Sequence, residues 1–448
     1  MQASKRPITR WLENAPTGVF VTYAIIAAFS TYFCMYAFRK PFAAAEFSGQ
    51  TFFDTSIKLK TTLVISQIIG YAISKYIGIK VCSEVKRERR SIMLVGMILW
   101  ALAALVLYGF VPDRWKFVAI FMNGLPLGMI WGLVVWYLEG RTVSELLLAG
   151  LSCSYIVASG VVKDVGRRLM DVYGISEGWM PAATGAIFLL PFFIAVWLLN
   201  QIPKPTDADE VARTHREPMD RTHRLAFVRQ FFWGLLLLLV AFFFLTAYRD
   251  YRDNYQVDIY NAMEYSYEEN KTIITQSETI VAFGVMVTLG LLFLIKDNWY
   301  GLIATYGIMT TGLVILGGST YAMQNGMISG FWWMTLVGFG AYLAYVPYGS
   351  VLFDRLIATT NVVGTAVFAI YIMDAVGYTG SVFIQIYNDL FYNVTTKENI
   401  VVTDASERLA FFIDFSYFMS GLALILMVSS CIYFLSKQRT TRQKAEVS

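Results

Sequence analysis

Twelve apolar runs leave this chain little choice of fold. They fall at about 18–38, 59–79, 91–111, 117–138, 145–167, 179–199, 228–249, 273–295, 299–320, 327–350, 361–384 and 409–435. Each is long enough to cross roughly 30 Å of hydrocarbon as a helix rising about 1.5 Å per residue. In hydrocarbon every backbone polar group must be satisfied within the protein, so a span is either a helix or a strand of a closed barrel. The runs are rich in Leu, Ala, Phe and Gly and lack the alternation of barrel strands. The expected fold class is therefore an all-α membrane protein with twelve transmembrane helices. Composition agrees: 56% of the 448 residues are hydrophobic and 15% charged, against about a quarter charged in soluble chains. Twelve spans of about 20 residues use about 240 positions, which leaves short loops. The longest polar stretch runs only from Asn200 to Arg229, so a large soluble catalytic or nucleic-acid-binding domain is excluded. The first run is too long for a signal peptide and reads as a retained span.

Lys and Arg set the expected orientation, because cytoplasmic loops collect them. With the N-terminus inside, the inner segments hold Lys5, Arg6 and Arg10, the cluster Lys80 and Lys86 to Arg90, Arg141, the basic residues of 204–229, Lys296, Arg355, and Lys437 to Lys444. Both termini are expected to be cytoplasmic, in a bacterial inner membrane. The segment 201–227, with Pro203, Pro205 and Pro218, divides the runs six and six and reads as a cytoplasmic linker between bundles at 1–200 and 228–448. A weak internal repeat supports two halves. At an offset of 214, Arg141 falls on Arg355, Gly150 on Gly364 and Gly166 on Gly380; at 213, Phe38-Arg39 with Phe42 falls on Tyr251-Arg252 with Tyr255. Two parallel six-helix halves are the layout of major-facilitator carriers, whose substrate site lies between the halves near the midplane.

Charged groups inside spans are costly and mark functional candidates. Arg39 and Lys40 close the first run, where they either reach for headgroups or serve the interior. Tyr32 and Tyr36 precede Arg39 by seven and three residues, so all three share one helical face. Phenols beside a guanidinium suit an oxyanion. Lys75, between Ser74 and Tyr76 in the second run, is a further candidate, because Lys80 and Lys86 to Arg90 already anchor that end. The seventh run ends in TAYRDYRDNY, where Arg249 and Arg252 stand beside Asp250 and Asp253. This is either a self-paired outer cap or half of an oxyanion clamp opposite Arg39, since planar guanidinium groups bind phosphate or carboxylate in bidentate fashion. Asp374, about 13 residues into the eleventh run, and Asp164 are carboxylates that could couple transport to protons. Asp374 reads equally well as a structural partner for a basic residue such as Lys163. Glu139 with Arg141 and Asp354 with Arg355, at equivalent cytoplasmic helix ends, read as interdomain ion pairs or helix caps.

Other residues exclude more than they suggest. Cys34, Cys82, Cys153 and Cys431 form no CxxC pair, so neither a disulfide framework nor a zinc site is indicated. His215 and His223 both fall in the central polar segment, which leaves no histidine for a metal or for catalysis inside the membrane. No cofactor and no enzymatic activity are expected. Asn270-Lys271-Thr272 and Asn393-Val394-Thr395 match the glycosylation sequon, a triplet common by chance.

Three segments resemble the organophosphate:phosphate antiporters of the major facilitator superfamily, the glycerol-3-phosphate and hexose-phosphate carriers. They are YFCMYAFRKPF (Tyr32 to Phe42), GYAISKYIG (Gly70 to Gly78) and AYRDYRDNY (Ala247 to Tyr255). The resemblance implies that Arg39 and Arg249 clamp a phosphoryl group with Lys40, Lys75, Tyr32 and Tyr36 around it. The internal repeat would choose Arg252 in place of Arg249. Tyr155, in CSYIVASG, stands where the glycerol-phosphate carriers have a histidine, and the acidic-basic motif after the second helix is reduced to GIKVCSEVKRERR. The chain is similar, more closely still, to a bacterial membrane-protein family of unknown function through FRKPF and SKYIGIKV.

The expected function is secondary active transport of a small organic or phosphorylated anion, by rocking two halves around a central cationic site. An empty clamp concentrates positive charge, which favours exchange over net flux. The alternative is a transporter-like sensor that binds the anion without moving it. The partners expected are the solute and the bilayer, with no nucleic acid, and the chain is expected to work as a monomer.

Overall fold

The computed structural model describes residues 6–447 apart from 48, 54, 56, 140, 142, 207, 208, 210–227, 267, 268, 293, 361–365 and 389–403. His215, His223, most of the 201–227 linker and the Asn393 sequon lie outside the described residues.

A short helix α1 (Pro7–Glu13) leads into the long helices. These are α2 (Thr17–Tyr36), α3 (Leu59–Glu84), α4 (Arg87–Phe110), α5 (Lys116–Leu138), α6 (Ser144–Asp171) and α7 (Met180–Leu199), then α8 (Phe232–Ala262), α9 (Ile273–Leu292), α10 (Asn298–Gln324) and α11 (Gly330–Ser350). The short α12 (Leu352–Thr360) follows, and α13 (Ala366–Tyr387) and α14 (Asp404–Val447) complete the chain. Among the described residues the long helices match the twelve apolar runs one for one. Among the described residues nine segments are long and apolar enough on their own to cross a membrane, and α11 with α12, bent by 51°, makes a tenth if the pair is one span. Helix α3 is less apolar because Gln67, Ser74 and Lys75 interrupt it.

One boundary differs sharply from expectation. The seventh run ends at Arg249 by hydropathy, yet α8 continues to Ala262. Its last turns carry Arg249 to Asp258 buried inside the protein. The charges did not end the helix because buried partners receive them. The segment TAYRDYRDNY is thus a helix interior and not an outer cap.

The chain forms two compact units. The first comprises Met1–Arg213, Asn254–Ala282 and Gln385–Ser406; the second comprises Thr214–Asp253, Phe283–Ile384 and Glu407–Ser448. The first unit therefore holds α1 to α7 together with the end of α8 and the first half of α9.

Glycines set the closest helix contacts within each unit. In the first, α3 and α5 meet backbone to backbone: a Cβ on Gly70 would lie 2.4 Å from the Phe121 carbonyl oxygen, one on Gly124 2.5 Å from that of Gln67, and one on Gly128 2.4 Å from that of Tyr71. Gly124 and Gly128 form the small-xxx-small pattern by which membrane helices approach. In the second unit, Gly312 of α10 and Gly340 of α11 face one another in the same way, and Gly380 of α13 meets the Phe243 carbonyl of α8.

Loop anchors complete the units. Arg141 donates to the Pro203 carbonyl and stacks on Phe20. Burial pulls its guanidinium down to about 10, still well above neutral pH. Arg355 donates to the Asn298 side chain at 2.8 Å. Each arginine therefore ties its own unit together at a helix end. Helix α10 is capped by Asp297, whose carboxylate accepts from the Trp299 and Tyr300 amides at 2.9 and 3.0 Å. Asp297→Ala is expected to cost about 1 kcal/mol, read as a lower midpoint of thermal unfolding in detergent.

Candidate functional site

The site in the first unit begins where α2 stops. Residues 37–40 leave the helix ahead of Pro41, which has no N–H to continue it, and Pro41–Ala44 make a 3₁₀ turn. The freed carbonyls are taken up by buried amides. Asn123 of α5 donates to the Phe38 carbonyl at 2.9 Å and to the Ala101 carbonyl at 3.1 Å. Gln67 of α3 donates to the Arg39 carbonyl and to the Asn123 side chain, each at 2.8 Å. Non-helical backbone is tolerated in a membrane protein where protein groups satisfy it in this way.

Arg39 is 4% exposed, and its guanidinium carbon sits 4.0 Å from the centre of the Tyr71 ring and 5.7 Å from that of Tyr36. The Lys75 ammonium lies 5.6 Å from the same Tyr71 ring. Gln67, Tyr71 and Lys75 are spaced by four, so one face of α3 presents all three. Tyr32 packs on Tyr36 and Tyr155 and stands edge-on to Trp131, with ring centres 5.7, 6.5 and 4.9 Å away. The unit thus assembles Arg39, Lys75, Tyr32, Tyr36 and Tyr155, all expected site residues, and adds Tyr71 and Trp131. Two cations on one ring lie within about 10 Å of each other and repel by about 2 kcal/mol at an effective dielectric near 20.

Lys40 turns elsewhere. Its ammonium donates to Asn254 of α8 at 2.8 Å, the first link of a clasp that holds the end of α8. Lys60 of α3 pairs with Asp258 at 2.5 Å, both side chains almost fully buried. Thr61 and Tyr255 hydroxyls bond at 3.0 Å. Lys163 of α6 donates to Gln256 at 3.1 Å, and Gln256 donates to Glu278 of α9 at 2.6 Å. Asn261 donates to Glu46. Asp164 accepts from the amide and hydroxyl of Thr275, at 2.9 and 2.6 Å, so it caps the first turn of α9.

The second unit treats its two arginines differently. The Arg249 guanidinium carbon stands 4.3 Å from the Tyr345 ring centre, much as Arg39 stands on Tyr71. The guanidinium also pairs with Asp250 at 2.6 Å. The other Asp250 oxygen accepts from Ser381 of α13 at 2.8 Å. Arg252 instead donates to the Met334 carbonyl of α11 at 2.8 Å, with its guanidinium flat against Gly338. Its place is in a helix interface. Asp374 is half-buried on α13, seven residues before Ser381.

A family model described as "Family of unknown function (DUF5690)" matches residues 41–437. The chain belongs to that family. Among solved structures, this DUF5690 chain is similar to a D-xylose–proton symporter at 15% identity and a TM-score of 0.60, over 91% of this chain and 96% of the other. It is also similar to a bacterial homologue of the human drug peptide transporters PepT1 and PepT2, at 14% identity and a TM-score of 0.56, over 93% and 99%. At these identities the likeness is one of fold, and the fold is that of the major facilitator transporters. No curated protein matches the chain.

Sequence reasoning missed Tyr71, Gln67, Asn123, Lys60, Asp258 and Glu278. A signal existed for the first two in their spacing from Lys75. Lys60 stands at the start of a run, where a lysine reads as a helix end, and Asp258 and Glu278 stand outside or near the edges of apolar runs. Only their mutual placement reveals them.

Proposed function

We propose that this DUF5690 chain is a secondary transporter of a small anion, with phosphoryl compounds the first class to test. Arg39 and Lys75 bind the anion in the first unit, within the wall of Tyr32, Tyr36, Tyr71 and Tyr155, and in the second unit Arg249 is the anion-binding arginine. The chain works as a monomer with both termini on the cytoplasmic face of a bacterial inner membrane. One observation carries the reading: two buried or half-buried cations converge on the Tyr71 ring, where a guanidinium offers the fork that oxyanions fit. The fold supports transport by alternating access, and the solved structures of similar fold are a D-xylose–proton symporter and a bacterial homologue of drug peptide transporters. Arg249 is preferred to Arg252 because it repeats the stacking of Arg39 while Arg252 serves a helix contact. Lys40 supports the closed end of α8. Asp164 and Asp374 remain carboxylates to test for coupling.

The test is uptake of labelled phosphate into proteoliposomes preloaded with phosphate. The unaltered chain is expected to exchange phosphate, and Arg39→Ala and Lys75→Met each to lose at least about tenfold while eluting as folded protein. No uptake by the unaltered chain removes phosphate exchange; thermal stabilisation by an anion without flux favours the sensor reading.

A further inference from the structure

Arg249 is already occupied. Its guanidinium holds the carboxylate of its own neighbour, Asp250, at 2.6 Å, inside the protein and against Tyr345. An anion that uses Arg249 must compete with that carboxylate. Side by side in low dielectric, a bound anion and a released carboxylate repel each other, and a carboxylate stripped of its cation is neutralised by taking a proton. We propose that Asp250 is the coupling carboxylate: the incoming anion displaces it from Arg249, and it binds one proton that crosses the membrane with the anion. The proposal rests on the anion-transport reading above and names its co-substrate.

The step balances. A proton from water on the entry side bonds to the Asp250 oxygen that Arg249 has released, while the anion takes the guanidinium. When the anion leaves, the guanidinium returns to Asp250 and the proton passes to water on the exit side. Each anion therefore carries one proton.

The surroundings fit that role. Ser381 donates to the second Asp250 oxygen at 2.8 Å and holds the carboxylate in place when Arg249 lets go. Tyr345 and Tyr342 of α11 and Tyr378 of α13 are the electrostatic neighbours of Arg249. Asp374, Tyr378 and Ser381 are spaced by four and three along one face of α13, so Asp374 is the nearest further carboxylate on that helix. On α8 itself, Arg252 and Asp253 stand one turn away. Helix α14 meets α8 through Tyr248 and Tyr251 and brings the Ser416 hydroxyl to Tyr248 at 2.8 Å. Asp164, by contrast, is engaged by the amide and hydroxyl of Thr275 at the first turn of α9 and has Arg167 and Lys163 as charge neighbours, whereas Asp250 is held directly by the arginine the anion would take.

Two assays on the full chain in proteoliposomes separate coupling from binding. One is exchange of labelled phosphate without a gradient; the other is accumulation of phosphate driven by an outside-acid pH gradient. The unaltered chain is expected to do both. Asp250→Asn keeps an oxygen for Ser381 and loses the titration. It is expected to retain exchange within about threefold and to lose accumulation at least about tenfold. Undiminished accumulation by Asp250→Asn overturns the proposal. So does loss of exchange in that variant while it stays folded, which would make Asp250 a structural partner of Arg249. Exchange without accumulation in the unaltered chain overturns coupling alone. No exchange at all overturns the anion reading and this inference with it.

Discussion

Asp258→Ala is expected to destabilise the protein by about 3–5 kcal/mol, because it leaves the buried Lys60 ammonium without its carboxylate. The pair is made at 2.5 Å, with side-chain exposures of 0% and 4%, so water cannot replace the lost partner. The same reasoning gives an opposite result for the double change. Lys60→Met with Asp258→Leu removes both charges and their desolvation cost together, and such replacements are often neutral or stabilising. Thermal unfolding of the purified chain in detergent is the measurement. Equal losses in the single and double variants would show that shape, and not charge pairing, holds this contact. The functional reading adds a second expectation. The pair, with Lys40 to Asn254 and Lys163 to Gln256, fastens the end of α8 to α2, α3 and α6. Loosening that fastening lets the end of α8 part from α3 more often. The double variant, folded but unfastened, is therefore expected to label faster than the unaltered chain with a membrane-impermeant thiol reagent at a cysteine introduced in place of Tyr255.

Gly124→Leu is the second large effect. A Cβ at Gly124 would meet the Gln67 carbonyl oxygen at 2.5 Å and the Tyr71 amide nitrogen at 3.0 Å. Both are backbone atoms of α3, so relief requires the helices to part. The expected cost is about 3 kcal/mol or more, seen as loss of monodisperse protein on size exclusion. Separation of α3 from α5 also breaks the Gln67 to Asn123 bond and displaces the Arg39 support. Gly96→Ala, where nothing lies within 4 Å, is the matched control and should leave stability within about 0.5 kcal/mol.

The spans were legible because hydrocarbon imposes a length and a composition that no loop shares, and helices such as α5 and α7 begin and end within a residue or two of their runs. The end of α8 was not legible. Asp250 and Asp253 read as either an outer cap or half of a clamp, and only neighbours across some 90 to 200 positions of sequence, Lys163 and Lys60 among them, explain why the helix continues to Ala262. Arg39, Lys75 and the tyrosines could be named from spacing along single helices. The arrangement that unites them on Tyr71 is a contact between helices, and a helical face alone does not say what stands opposite. The preference for Arg249 over Arg252 rests on the same kind of fact, since Tyr345 and Gly338 belong to another helix.

The break at the end of α2 has a thermodynamic consequence. The Phe38 and Arg39 carbonyls are held by Asn123 and Gln67, whose helices are themselves locked through Gly70, Gly124 and Gly128. The backbone beneath Arg39 is fixed by buried amides of two neighbouring helices. A preorganised guanidinium spends little binding energy on ordering itself, so an anion arriving at this site would meet a receptor already in shape, and weak, readily released solutes could still be recognised.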